Sequence, residues 1–378
     1  MTRFELGEGA GRRFFEIERA GAELEMRYGT CDTPPTVARR TFASEEIAQT
    51  TLEALVGQKL RRGYLAFDAL PAQTRLERLR EAGGASLEID AGSHRARLVY
   101  GTDLVGTDFE NVLRRLLSDR ELGVDRLAVT LGFCTDFEGV GRALARLGGA
   151  SHVLRSLTLC TFDEIETFRA TVARIPERLA AFDQLTSLQL QAGQLSATQF
   201  ELPRLRKLQI RAAGLGRETV RAVAAARWDS LASLGLWLGS PRLGCDAALG
   251  DFATLFAGQG LPNLRHLSLR SVPFADELCE ALAEAPLLRQ LESLDLSFGT
   301  ISSRGALKLV AHRSSFSHLA RLVLDGNEIE GASDLALEEL SREVVLGEQR
   351  PATGDPREVE HLAPMYEGDG YLTLQNLA

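Results

Sequence analysis

The stretch Leu319–Ile329, LARLVLDGNEI, carries apolar side chains at its first, fourth, sixth and eleventh positions and asparagine at its ninth. Its opening, LxxLxL, recurs upstream as LRSLTL from Leu154, LTSLQL from Leu185, LRKLQI from Leu205, LASLGL from Leu231, LRHLSL from Leu264 and LESLDL from Leu291. A weaker copy, VDRLAV, starts at Val124. Alternation within LxL puts two apolar side chains on one face of a short strand. The segments between copies carry helical periodicity, as in ETVRAVAAARW from Glu218, ADELCEALAEAP from Ala275 and SRGALKLVAH from Ser303. One such unit cannot bury its own apolar face, so at least about three must stack, and this chain holds seven clear copies.

The consensus LxxLxLxxNxL resembles the leucine-rich-repeat family over residues 124–340. That resemblance implies an α/β solenoid, with parallel strands on the concave face and helices on the convex face. It also implies a protein partner on the concave side. Only the last copy has the ninth-position asparagine. The others place Phe162, Gly193, Ala213, Gly239, Val272 and Gly299 there, so an irregular solenoid is expected. Residues 69–123 read as a linker helix, a hairpin (SLEIDAG and RARLVYG) and a helix from Phe109 that cap the N-terminal end of the sheet. Residues 341–378 read as an acidic C-terminal cap or tail.

Residues 1–68 are a different unit. RRFFEIERAGAELEMRYGT reads as two strands joined at Ala20-Gly21, VARRTF as a third, and SEEIAQTTLEALVGQKLRRGY as a helix capped by Ser44. Hairpin, strand and long helix together resemble a WGR domain, a small α+β fold named for a Trp-Gly-Arg triplet. Here the triplet positions hold Tyr28, Gly29 and Thr30. In the poly(ADP-ribose) polymerases that carry this domain the Trp stacks at a DNA end and the Arg joins phosphate or partner-domain contacts. Tyr28 retains a stacking ring, whereas Thr30 cannot replace a guanidinium. Nucleic-acid contact would fall to Tyr28, Arg39, Arg40, Lys59, Arg61 and Arg62. Ten bases against eleven acids over residues 1–70 do not form the basic face that phosphate binding needs, and nucleic acid is not the favoured partner.

Composition narrows the classes further. Hydrophobic residues at 44% and charged residues at 25% describe an ordinary globular chain, and no run approaches the roughly 20 apolar residues of a membrane span. The N-terminus lacks the apolar core of a secretory signal, so a cytoplasmic protein is expected. Only three of the 43 basic residues are lysines (Lys59, Lys207, Lys308), a bias that suggests a GC-rich bacterial genome rather than phosphate binding. The net charge of -9 is concentrated between Asp325 and Asp369, where 13 acids face three arginines, and this end would repel nucleic acid. The five cysteines are too far apart for the short-spaced ligand pairs of zinc sites. GEGAG at Gly7–Gly11 lacks the Lys-Ser/Thr of a phosphate loop, and DGNEIEG at Asp325 lacks the sixth-position glycine of a calcium loop. The six histidines form no HExxH or Cys-His set. No catalytic residue, metal ligand or cofactor is expected.

The binding residues must then lie on the strands. The positions flanking the last leucine of LxxLxL face outward: at the fifth position Thr158, Gln189, Gln209, Gly235, Ser268, Asp295 and Val323, and at the seventh Cys160, Gln191, Arg211, Trp237, Arg270, Ser297 and Asp325. Trp and Arg dominate interface hot spots, and strands about 4.8 Å apart bring Arg211, Trp237 and Arg270 into contact range. Either this trio, with Gln189, Gln191 and Gln209, centres a protein-binding surface, or Trp237 packs under a neighbouring loop and the arginines are merely solvated. The expectation is a non-catalytic scaffold or adaptor. The alternative is a nucleic-acid-associated adaptor using the N-terminal domain.

Overall fold

A computed structural model describes residues 1–7, 11–31, 33–101, 104, 106–131, 137–147, 153–161, 171–173, 175–331 and 336–351. The chain divides into two compact units, Met1–Ala82 and Gly83–Ala378.

In the first unit, β1 (Thr2–Leu6), β2 (Arg13–Ala20), β3 (Glu23–Thr30), β4 (Thr36–Thr41) and β5 (Leu65–Ala66) form an antiparallel sheet in the order β4-β3-β2-β1-β5. Strand alternation decides its two faces. Phe4, Phe15, Ile17, Leu24 and Met26 project to one side, where they pack with Ala48 of helix α1 (Glu45–Arg61) and with Tyr64. Ser44 caps α1 by accepting a hydrogen bond from Ile47 N at 3.2 Å, and Glu45 and Glu46 sit where the helix dipole favours acids. The hairpin, third strand and capped helix fall where the sequence places them, while β1 lies in the first six residues, which the pattern left unassigned. Helix α2 (Ala72–Gly83) belongs with this unit, although the sequence puts it in the linker. Its Arg78 and Glu81 reach Glu5 and Arg12, tying it to the sheet.

The second unit is mixed α/β and built on one large sheet. It begins with the antiparallel hairpin β6 (Leu87–Asp90) and β7 (Arg95–Tyr100). From β7 onward neighbours are parallel, through β8 (Arg126–Leu131), β9 (Ser156–Thr161), β11 (Ser187–Ser196), β12 (Lys207–Leu215), β13 (Ser233–Trp237), β14 (His266–Arg270), β15 (Ser293–Asp295), β16 (Arg321–Val323) and β17 (Val344–Val345). The short β10 (Thr171–Ala173) pairs with the far half of β11, at Gln194–Ser196, so the sheet forks there. Every LxxLxL copy delivers one strand. Leu157, Leu188, Leu208, Leu234, Leu267, Leu294 and Leu322 stand in one register line, and all are at most 1% exposed.

Behind this leucine line lie the helices Arg217–Ala225, Ala253–Phe256, Ala275–Glu284 and Ser303–Ala311, which supply buried Val220, Val223, Leu255, Leu278, Leu282 and Leu309. Between β11 and β12, the shortest repeat, there is no helix, and Phe200 and Leu202 cover the sheet from an irregular segment.

The turn that follows each strand differs with its ninth residue. Asn327 is fully buried. Its Nδ2 donates to Leu296 O (2.9 Å) and Leu324 O (2.8 Å), and its Oδ1 accepts from Ile301 N (3.2 Å). Where the residue is Gly239, the backbone itself makes the close approach: φ is +76° and an added Cβ would lie 1.9 Å from Ala213 O. At the C-terminal edge β17 pairs with β16, and Arg350 donates from Nε to Gly326 O and from Nη2 to Gly299 O, each at 2.6 Å. Residues 341–351 thus continue the sheet and tie its last turns together. The remainder of the acidic segment, 352–378, lies outside the described residues, as do Cys134, Phe162 and most of GEGAG. No described helix is long and apolar enough to cross a membrane.

Candidate functional site

The parallel register aligns the fifth- and seventh-position residues in rows as the spacing requires, although Thr158 and Cys160, expected to face outward, are buried. Thr158, Gln189, Gln209, Gly235, Ser268 and Asp295 form one row, and Cys160, Gln191, Arg211, Trp237 and Arg270 the next. All six residues singled out on this face come together. The guanidinium carbon of Arg211 lies 4.6 Å and that of Arg270 5.3 Å from the indole centroid of Trp237. Trp237 itself is only 3% exposed, because the ring of Phe298 stacks parallel to it at 5.9 Å. Its role is therefore to support the two arginines, each held by a cation–π contact, rather than to offer an open aromatic surface. Phe298 can reach it because the turn after β15 takes a left-handed conformation at that residue (φ 57°), and no repeat position announces this.

A cavity of about 460 Å³ opens between these rows. Its floor is Gly235, and its walls carry Lys207, Gln209, Arg211, His266 and Arg270. Asp295 is the one acid among the lining residues. Its Oδ2 accepts from Nε (2.7 Å) and Nη2 of Arg270, and its Oδ1 accepts from the N (3.0 Å) and Oγ (2.6 Å) of Ser297. That carboxylate is saturated, and the pair it forms with Arg270 cancels in charge. The other basic side chains of the lining are Lys207 and Arg211. The indole Nε1 of Trp237 is buried and has no acceptor among the described residues; a buried donor left without one costs about 1–3 kcal/mol. Lys207, His266 and Gly235 are the lining residues that hot-spot reasoning passed over. Gly235 was nonetheless visible as the only glycine in the fifth-position row.

The basic residues of the first unit are arranged differently. Arg39 and Arg40 are consecutive on β4 and project to opposite faces of the sheet. Arg39 pairs with Glu25 at 2.8 Å. Tyr28, 41% exposed, shares the face of Arg40. Lys59 lies over the rings of Phe15 (4.4 Å) and Tyr64 (5.0 Å), and burial, with Arg62 nearby, pulls its ammonium below the ordinary lysine range. Arg61 and Arg62 are exposed at the end of α1.

The opposite face of this sheet holds a feature the sequence did not reveal. Arg3 donates to Glu5 (2.6 Å), Glu16 (3.1 Å) and Cys31 Sγ (3.4 Å), and Arg12 donates to Cys31 Sγ (3.1 Å) and Glu81 (2.9 Å). Glu5, Glu16 and Arg12 are buried. These charges form an internal ionic network, which takes shape only when β1 brings Arg3 and Glu5 against β2. Among the described residues no cluster of His, Cys, Asp or Glu could hold a metal ion.

The second unit is, in class, an α/β protein whose parallel sheet gains one strand per leucine repeat. No family model matches the chain, and neither does any curated protein. Among solved structures it is similar to a structural-genomics protein of Bacteroides fragilis, at 19% identity and a TM-score of 0.58, with 93% of this chain and 97% of that chain covered. An internalin of Listeria monocytogenes also aligns, at 14% identity and a TM-score of 0.25, over 72% of this chain and 89% of that one.

Proposed function

We propose that the chain is a non-catalytic interaction scaffold: a leucine-rich-repeat solenoid that binds a protein partner on its concave face, preceded by a degenerate WGR-like domain. The observation that carries this is the register of the outward rows. Five consecutive strands, β11 to β15, present Gln189, Gln209, Gly235, Ser268 and Asp295 side by side, and the same strands bury their leucines. A face of polar and basic groups on a parallel sheet is suited to binding an extended partner surface.

The test is site-specific photocrosslinking in the full-length chain. Benzoylphenylalanine at Gln189 or Gln191 is expected to capture a discrete partner, identified by mass spectrometry and then reconstituted from purified components. The same probe at Leu307, exposed on the helix side, is expected to capture none of it. Equal capture from both faces, or no reconstituted complex, would end the concave-face reading.

A further inference from the structure

We propose that the cavity over Gly235 is a carboxamide pocket, which receives an Asn or Gln side chain of an extended protein segment lying across β11, β12, β13 and β14. This rests on the reading of the outward face as an interaction surface and names what that face recognises.

The glycine is the first reason. Glycine weakens a strand interior, and it persists there where a bulge, a bend or the close approach of another group requires it. At position 235 the fold makes no such demand. The backbone has no left-handed φ, and an added Cβ would meet Gln209 Cγ at 3.5 Å, Ser268 Cβ at 3.8 Å and Leu208 O at 3.9 Å, all ordinary contacts. β13 pairs in unbroken register with β12 and β14 on either side of it. What the missing side chain does is leave the floor of the cavity open to the end of a side chain from outside.

The second reason is which lining groups are left open. Gln189, Gln209, Ser233 and Ser268 come from four adjacent strands, are half-buried, and make no side-chain hydrogen bond among the described residues. All four are neutral, and each can both donate and accept. The other polar groups of the lining are engaged. Asp295 accepts from Arg270 and Ser297, His266 and Ser293 bond each other at 2.8 Å, and Arg211 lies on the ring of Trp237. Lys207 is exposed to water, where an ion pair adds little. A charged side chain entering the cavity would therefore lose hydration without an open counter-ion inside it. A carboxamide brings two N–H donors and a carbonyl acceptor with no charge to desolvate, and so matches the open amides and hydroxyls. An extended segment fits better than an isolated amide, because four strands span roughly 14 Å, about the length of four residues of extended chain.

The experiment uses the full chain and a fluorescent peptide alternating Gln and Ser, with counterparts in which Glu or Lys replaces Gln. Anisotropy is read at low and moderate salt. The Gln peptide is expected to bind with a Kd below about 1 mM, alike at both salt concentrations, and at least about tenfold more tightly than either charged peptide. Gly235→Val should abolish binding while keeping or raising the melting temperature, since it fills the floor with a good strand former. Gln209→Met, which keeps the length of the side chain and removes its amide, should weaken binding up to about tenfold without altering the melt. A charged peptide bound as tightly as the Gln peptide, Gln-peptide binding unchanged by Gly235→Val, or no saturable Gln-peptide binding up to millimolar concentration would overturn the pocket. So would competition by maltohexaose, which would assign the open groups to sugar hydroxyls. None of these outcomes touches the crosslinking result, so the wider interaction reading stands or falls separately.

Discussion

Asn327 shows how much one side chain can settle. It closes the turn after β16 with bonds to two carbonyls and an amide, all buried. Asn327→Ala leaves those groups unpaired, and the expected cost is about 3 kcal/mol, read as a lower urea midpoint at unchanged slope. The asparagine was legible because the repeat consensus names its position. The sequence also showed that six other copies lack it, but not how they manage. Gly239 answers for one of them by direct backbone approach to Ala213, a solution that depends on φ and leaves no pattern of residues to read. Trp237 was legible as a position and not as an environment. Its row and its arginine neighbours follow from spacing, while its burial depends on Phe298, which arrives from a left-handed turn two strands away.

At the scale of elements the strands were the easiest to foresee, since each LxL fixes one, and the helices followed from their own period. The exceptions are β1 and the ionic face it completes. Arg3, Glu5 and Glu16 look like solvated charges until the pairing of Arg3 with Glu16 across β1 and β2 is known. Helix Ala275–Glu284 gives a measurable case of burial by packing. Cys279 on its inner side is fully buried, and burial, with Asp276 adding to it, pushes the thiol up from an ordinary 9.0 to about 12. The neutral thiol is the form the fold prefers. Its contribution to stability is therefore whole below pH 9 and is lost as pH rises through the window from about 9 to about 12. Cys279→Ala is expected to flatten that part of the stability–pH curve measured by urea unfolding. An identical alkaline slope in the variant would show that Cys279 does not contribute to it.

At the scale of the molecule the two units have separate cores, one around Phe15 and Ile17 and one along the leucine line. Phe15→Ala should cost about 3–5 kcal/mol and Leu267→Ala about 2–5 kcal/mol. In a calorimetric scan each is expected to shift a different transition, with additive effects in the double variant. One transition displaced equally by both would show that the units melt as one. The division itself was partly legible: the change from hairpin to repeat is visible in the pattern, but the attachment of α2 to the first unit is not, because it hangs on Arg12–Glu81 and Arg78–Glu5 rather than on periodicity.

The missing helix between β11 and β12 has a mechanical consequence. Along most of the repeats the sheet is a laminate, with a layer of strands bonded to a layer of helices, and both share any bending load. At this repeat the backing is a loop carrying Phe200 and Leu202, while the front has the longest run of paired residues in the sheet. Flexure concentrates where a laminate is thinnest. Between Leu185 and Leu205 the load falls on the long ladder of β11 and β12, the strands that carry Gln189, Gln191 and Gln209 beside the Gly235 cavity.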